Sequence, residues 1–224
     1  MTKEQNNTYS VLADGILELQ SDSPVLVAIS GKDGSGKTTM ADKLAVFMKR
    51  LTSREIIRIS IDDFMNKREV RYTPTESAGR SCYEYTFNMD SFKKNVLEPL
   101  QPSGSHRYRS KVFDHATDAE QLSPIRQATS SAIVIIDGVF LFKEELNNCW
   151  NLRILLSTDD ETAIERGAHR DAARLGSYEA ARQKYVDRYI ASQKIYYDEE
   201  HPEQKADIII DNNDIKKPKI YPAM

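Results

Sequence analysis

The sequence predicts an α/β fold in which a five-stranded parallel sheet is covered by helices on both faces. Three observations carry that expectation. Apolar runs bounded by turn residues alternate with stretches of helical periodicity. The first run, "PVLVAIS" (24–30), is almost wholly apolar, the pattern of a strand buried on both faces. It leads straight into the glycine-rich stretch "GKDGSGKT" (31–38), which opens a new helical pattern.

Val11, Leu12, Ile16 and Leu19 predict an amphipathic helix over 9–20, ahead of the first strand. Beyond the glycine-rich stretch, Met40, Leu44, Phe47, Met48 and Leu51 fall on one face of a second helix. "IIRISI" (56–61) and "AIVIID" (132–137) predict the second and third strands, and "LRILL" (152–156) and "ADIIID" (206–211) two shorter ones. Helical patterns run through 160–174 and 177–197, the latter ending near Pro202. The irregular stretch is 62–131, with one clear helix at about 90–98 before Pro99. Its aromatic residues, among them Tyr72, Tyr85 and Phe113, suit a packed, substrate-contacting insert better than disorder. No repeat or linker divides the chain, so residues 1–224 are expected to form one domain.

Bulk properties narrow the function. The 224 residues are 40% hydrophobic and 29% charged, and the net charge of −3 argues against coating nucleic acid or an anionic membrane. No apolar run approaches the roughly 18–20 residues of a membrane span, and the N-terminus lacks the apolar core of a secretion signal. Cys82 and Cys149 lack metal-ligand spacing and read as free thiols in a reducing compartment. A cytoplasmic enzyme acting on a small molecule is the expectation; a homo-oligomer stays open.

The stretch Gly31-Lys32-Asp33-Gly34-Ser35-Gly36-Lys37-Thr38 reads as a phosphate-binding loop. Its glycines let the backbone curl around phosphate oxygens and present N–H donors. The helix that follows turns its positive end toward the same anion. Lys37 can reach the terminal phosphates of ATP, and the Thr38 hydroxyl can bind Mg²⁺. Asp137, at the end of an apolar strand, supplies the carboxylate such a metal site needs.

What happens to the phosphate follows from further residues. Asn66-Lys67-Arg68-Glu69 lacks the aspartate of a guanine-reading motif and follows the wrong strand. "ISIDDF" (59–64) instead offers a carboxylate at the end of the second strand, where ligands of open α/β sheets gather. A carboxylate there can take the proton of an acceptor hydroxyl. If the strand continues through Asp62 and Asp63, the two point to opposite faces, and only one meets the acceptor. Arg166, Arg170 and Arg174 fall on one helical face, as a lid over a transferring phosphoryl group requires.

Residues Gly31–Thr39, "SIDDF" (60–64), "VIIDGVF" (134–140), "STDDETAIERGAHRD" (157–171) and "HPEQKADIIID" (201–211) resemble the uridine kinase branch of the P-loop kinases, related to phosphoribulokinase and pantothenate kinase. The resemblance implies ATP and Mg²⁺ as cofactors, with the loop from Gly31 to Thr39 on the phosphates. It implies Asp62 as general base, Thr38, Asp62 and Asp137 around the metal, and Arg166 and Arg170 as lid arginines over about 160–176. "KVFDHA" (111–116) resembles the nucleoside-pocket segment, which places Phe113 and His115 there. "CYEYTFNMDSF" (82–92) resembles the ribose-holding segment, which places Glu84 and Tyr85 there. Met65 and Phe113 stand where uridine kinases carry Tyr. The expectation is a kinase that phosphorylates a hydroxyl of a small metabolite, a nucleoside first. A sugar phosphate or pantothenate-like acceptor, and a regulatory nucleotide-binding protein, are the alternatives.

Overall fold

The computed structural model describes residues 1–74 and 76–222. Its central sheet contains β1 (Val25–Gly31), β2 (Ile56–Ser60), β3 (Ile133–Gly138), β4 (Leu152–Ser157), β5 (Ile208–Asp211) and β6 (Lys219–Pro222). Their spatial order is β6-β5-β4-β1-β3-β2. The five expected strands are present and parallel. The sheet has one strand more than expected, because β6 pairs antiparallel with β5. Pro218 precedes this strand and Pro222 ends it, and an edge position tolerates such prolines.

Strand alternation sorts the two faces. Val25, Val27, Ile29, Ile133 and Ile135 pack against α1 (Lys3–Glu18) and α2 (Lys37–Met48). Leu26, Ala28, Ile57, Ile59, Val134 and Ile136 face the other layer, with Phe64, Phe140 and Tyr196. The helix α1 starts earlier than the apolar periodicity indicates, since Thr2 and Gln5 form a reciprocal capping box.

The region between β2 and β3 is more structured than its sequence suggests. It holds the helix α3 (Ala78–Tyr85), a helical stretch over 89–100 with a π-helical turn, and two short antiparallel strand pairs. Two-residue strands are too short to leave a periodic trace. After β4 come α4 (Asp160–Leu175), α5 (Tyr178–Lys184) and α6 (Ala191–Glu200), the last packed against α3. Gly176, at φ 99°, makes the turn between α4 and α5, and π-helical Tyr185–Ile190 joins α5 to α6.

Candidate active site

The loop between β1 and α2 is where the backbone must depart from ordinary conformations. Gly34 has φ 84°, and a Cβ there would lie 2.2 Å from the Ala163 carbonyl oxygen. Gly36, at φ 92°, leads into α2. Only glycine fits both demands of close approach and left-handed backbone. The loop is tied down from outside: Asn212 Nδ2 donates to the Ser35 carbonyl at 2.7 Å. Lys32 Nζ donates to the Thr158 carbonyl at 3.0 Å and to Asp160 Oδ1 at 2.5 Å. The Ser35 hydroxyl is buried and has no hydrogen-bond partner among the described residues.

Lys37 and Thr38 open α2. The Lys37 side chain is mostly buried, with Nζ 3.3 Å from the Lys32 carbonyl and 3.9 Å from Asp33. Asp137 faces α2 because it shares the odd-numbered face of β3 with Ile133 and Ile135. It is 1% exposed, and its Oδ2 accepts from the Thr38 hydroxyl at 2.5 Å. In register it lies beside Ile29 of β1 and Ser60 of β2, at the carboxyl edge of the sheet.

Asp62 does not continue the strand. Residues Ile61–Phe64 form a 3₁₀ turn, so the two-residue alternation expected for Asp62 and Asp63 does not apply. The turn nonetheless separates them. Asp62 borders a cavity of about 320 Å³ together with Asp33, His115 and Arg170. Asp63 lies 3.7 Å from Lys111 Nζ. The crowding protein around Asp62 pushes its carboxyl up to about 6; Lys37 opposes this, Asp33 and Asp137 add to it, and His115 opposes it. Asp62 is also open to solvent through the cavity.

The arginines of α4 divide between two places. Arg170 and Arg174 border the same cavity as Asp62 and share Asp171, at 3.2 and 3.1 Å. Burial lowers the proton affinity of Arg170, and the hydrogen bond to Asp171 together with the charges of Tyr185, Asp171 and Asp33 more than reverses that. Arg166 instead donates to the carbonyls of Asn212 and Asn213 at 2.9 and 2.5 Å. With Thr39, Lys43 and Tyr9 it borders a separate cavity of about 220 Å³ beside the loop.

Of the insert residues, His115 borders the Asp62 cavity and three others lie elsewhere. Phe113, 6% exposed, borders a neighbouring groove with Val112. Glu84 pairs with Arg80 at 3.0 Å and with Lys143 at 4.0 Å. The Tyr85 carbonyl holds the Asn66 amide at 3.0 Å. The cavity wall is instead completed by Tyr72 and Phe87, aromatics of the insert, and by Arg71 and Lys184, which sequence reasoning did not single out for the site. Arg58 and Asn212 were also missed. A lone arginine inside the apolar run "IIRISI" was the visible signal for the first.

The donor set suits Mg²⁺, a hard cation that prefers oxygen ligands and retains several waters. Thr38 offers a hydroxyl, and Asp137 and Asp62 offer carboxylates near the loop. No group of three or more His, Cys, Asp or Glu among the described residues could hold a metal unaided. Such an ion depends on phosphate oxygens for the rest of its shell, as in nucleotide-dependent sites.

A 159-residue stretch is 26% identical to the chloroplastic uridine/cytidine kinase UKL1 of Arabidopsis thaliana, taking in 68% of the chain and 30% of that longer protein. The uridine kinase of Leuconostoc citreum is 26% identical over 195 residues, which is 84% of this chain and 87% of the relative. A structure described as a possible uridine kinase from Bacillus stearothermophilus superposes with a TM-score of 0.74 at 21% identity, covering 92% of this chain and 98% of that one. Residues 26–216 match the model of one family, from the start of the loop-bearing strand to the segment before β6. The chain belongs to the phosphoribulokinase / uridine kinase family.

Proposed function

We propose that the protein is an ATP-dependent kinase that transfers the γ-phosphate to a hydroxyl of a small metabolite, with a nucleoside as first acceptor. The observation that carries this is the placement of Asp62 and Arg170 on one cavity that opens beside the phosphate-binding loop. A hydrolase has no need of a carboxylate aimed at an acceptor. The names of the relatives support the nucleoside.

In this reading the loop from Gly31 to Thr39 binds the ATP phosphates, and the base lies in the cavity bordered by Thr39, Lys43 and Arg166. Lys37 meets the transferring group. Asp62 orients the acceptor hydroxyl and takes its proton, while Arg170 offsets charge on the phosphoryl oxygens. Thr38, Asp137 and Asp62 would hold Mg²⁺, which when bound would neutralise charge on the phosphates. The helix α4 acts as a lid that excludes water, without which ATP would be hydrolysed instead. No helix among the described residues is long and apolar enough to cross a membrane, which fits the cytoplasm as the place of action.

A specific observation favours a second reading, an acceptor that carries a phosphate or carboxylate. Among the described residues, Arg71 Nε is buried without a partner, and Lys184 lies over the Tyr72 and Tyr189 rings rather than against a carboxylate. The phenol of Tyr72 is held below its usual range: burial raises it, and Lys184, Arg188 and Arg71 together outweigh burial. Arg71 pairs with Asp118 at 2.8 Å through Nη2, so the charge that a neutral acceptor leaves without a carboxylate among the described residues is that of Lys184.

A thermal-shift screen with a non-hydrolysable ATP analogue decides between the two. Nucleosides, sugar phosphates and hydroxy acids are compared at 100 times their dissociation constants, where binding stabilises the fold by about 2.7 kcal/mol. Stabilisation by nucleosides alone supports the first reading and stabilisation by the acidic compounds alone the second. No response to any acceptor contradicts the kinase assignment.

A further inference from the structure

Arg58 stands in the middle of β2, where its neighbours Ile57 and Ile59 are buried in the sheet's other layer. Alternation therefore turns Arg58 toward α2, the same side as Asp137 and Thr38. Every arm of its guanidinium is committed. Nε donates to Asp42 Oδ1 of α2 at 2.9 Å, and Nη2 to Asp137 Oδ1 at 2.8 Å. Nη1 donates to the carbonyls of Ile59 and Ile135, at 2.7 and 3.0 Å.

The two oxygens of Asp137 are thus divided: Oδ1 takes Arg58 and Oδ2 takes Thr38. A carboxylate gripped on one oxygen by a charge-assisted bond has its plane fixed. A buried carboxylate without that partner would also be strongly unfavourable. Asp42 and the two carbonyls in turn prevent the guanidinium from rotating away.

We propose that Arg58 is a positioning residue of the metal site, holding Asp137 so that Oδ2 faces Thr38 and the metal's water shell. It touches neither nucleotide nor acceptor, and acts only through Asp137. Its loss weakens metal binding while leaving the nucleotide contacts of the loop intact. This rests on the proposed Thr38–Asp137 metal site.

The test is Mn²⁺ binding in the presence of ADP, read as free Mn²⁺ by electron paramagnetic resonance, for wild type, Arg58→Met and Arg58→Lys. Metal-free binding of a fluorescent ATP analogue is measured beside it. Removing an outer partner of a metal ligand typically costs about 10–100-fold in metal affinity. That loss is expected for Arg58→Met, with the metal-free analogue bound as in wild type. Arg58→Lys keeps the charge but cannot hold Asp42, Asp137 and both carbonyls together; it should lose about tenfold or more. Should Arg58→Met fail to fold, Arg58→Lys alone decides. Wild-type Mn²⁺ affinity in the folded variants overturns the proposal. A wild-type protein that binds no Mn²⁺ with ADP overturns instead the metal site on which it rests.

Discussion

The hydroxyl of Thr38, at the start of α2, donates to the carboxylate of Asp137, at the end of β3, across 2.5 Å and 99 positions of sequence. That contact joins the two halves of the proposed nucleotide–metal site, one following β1 and the other ending β3. It is possible because the end of β3 turns its last acidic side chain toward the helix that follows the loop.

Lys37→Ala should remove the positive charge that meets the transferring phosphate. Losing one fixed electrostatic contact to a transition state typically costs about 10²–10³ in kcat. The folded state should survive, because the change leaves no buried carboxylate without its partner. A steady-state assay together with a melting curve checks this; near-wild-type turnover would remove the loop from the chemistry.

Asp62→Asn keeps the shape but cannot take a proton, so kcat should fall by about 10²–10⁴-fold with ATP still bound. Asp63→Asn should cost little, since Asp63 faces Lys111 rather than the cavity. Kinetics of both variants on one acceptor are the check, and a large loss confined to Asp63 would reverse the assignment.

The protonation of Asp62 gives a pH prediction. Its carboxyl is raised toward about 6 in the protein without metal, so it carries a proton below that pH and is a base above it. Because the folded value exceeds the unfolded one, the charged form is disfavoured in the fold. Asp62→Asn should therefore raise the melting temperature near pH 7–8, and the gain should shrink as pH falls through 6 toward 4. Melting curves of both proteins across that range provide the test; a gain independent of pH would show that Asp62 is not the group responsible.

Arg170 and Arg166 should separate kinetically. Arg170→Ala is expected to lower kcat and to raise wasteful hydrolysis relative to transfer, because a site closed incompletely admits water. Arg166→Ala frees the carbonyls of Asn212 and Asn213 and should act mainly on the KM for ATP. Product analysis for phosphorylated acceptor against free phosphate distinguishes them.

Much of this was legible in the sequence, for identifiable reasons. The phosphate-binding loop is read from spacing alone because glycine is demanded by backbone conformation at Gly34 and Gly36. The apolar strands announce themselves because the sheet is buried on both faces. The cavity proposed for the acceptor was not legible. Its wall joins Arg71 and Tyr72 to Lys184, more than 100 positions apart, and no local pattern records that meeting. Phe113 reads as a pocket residue by motif, yet the chain turns it into the neighbouring groove. Phe113→Ala is accordingly expected to cost about 3–5 kcal/mol of stability, as for a buried aromatic, more than it alters acceptor affinity.

The central claim is that this protein moves the γ-phosphate of ATP onto a hydroxyl. Phosphorus NMR of protein, Mg²⁺ and ATP, with nucleosides and acidic hydroxy compounds supplied in turn, tests it most directly. The account predicts a phosphomonoester signal growing in step with ADP for one acceptor, far faster than ATP is lost without it. Free orthophosphate as the sole product, at a rate indifferent to every acceptor, would contradict it.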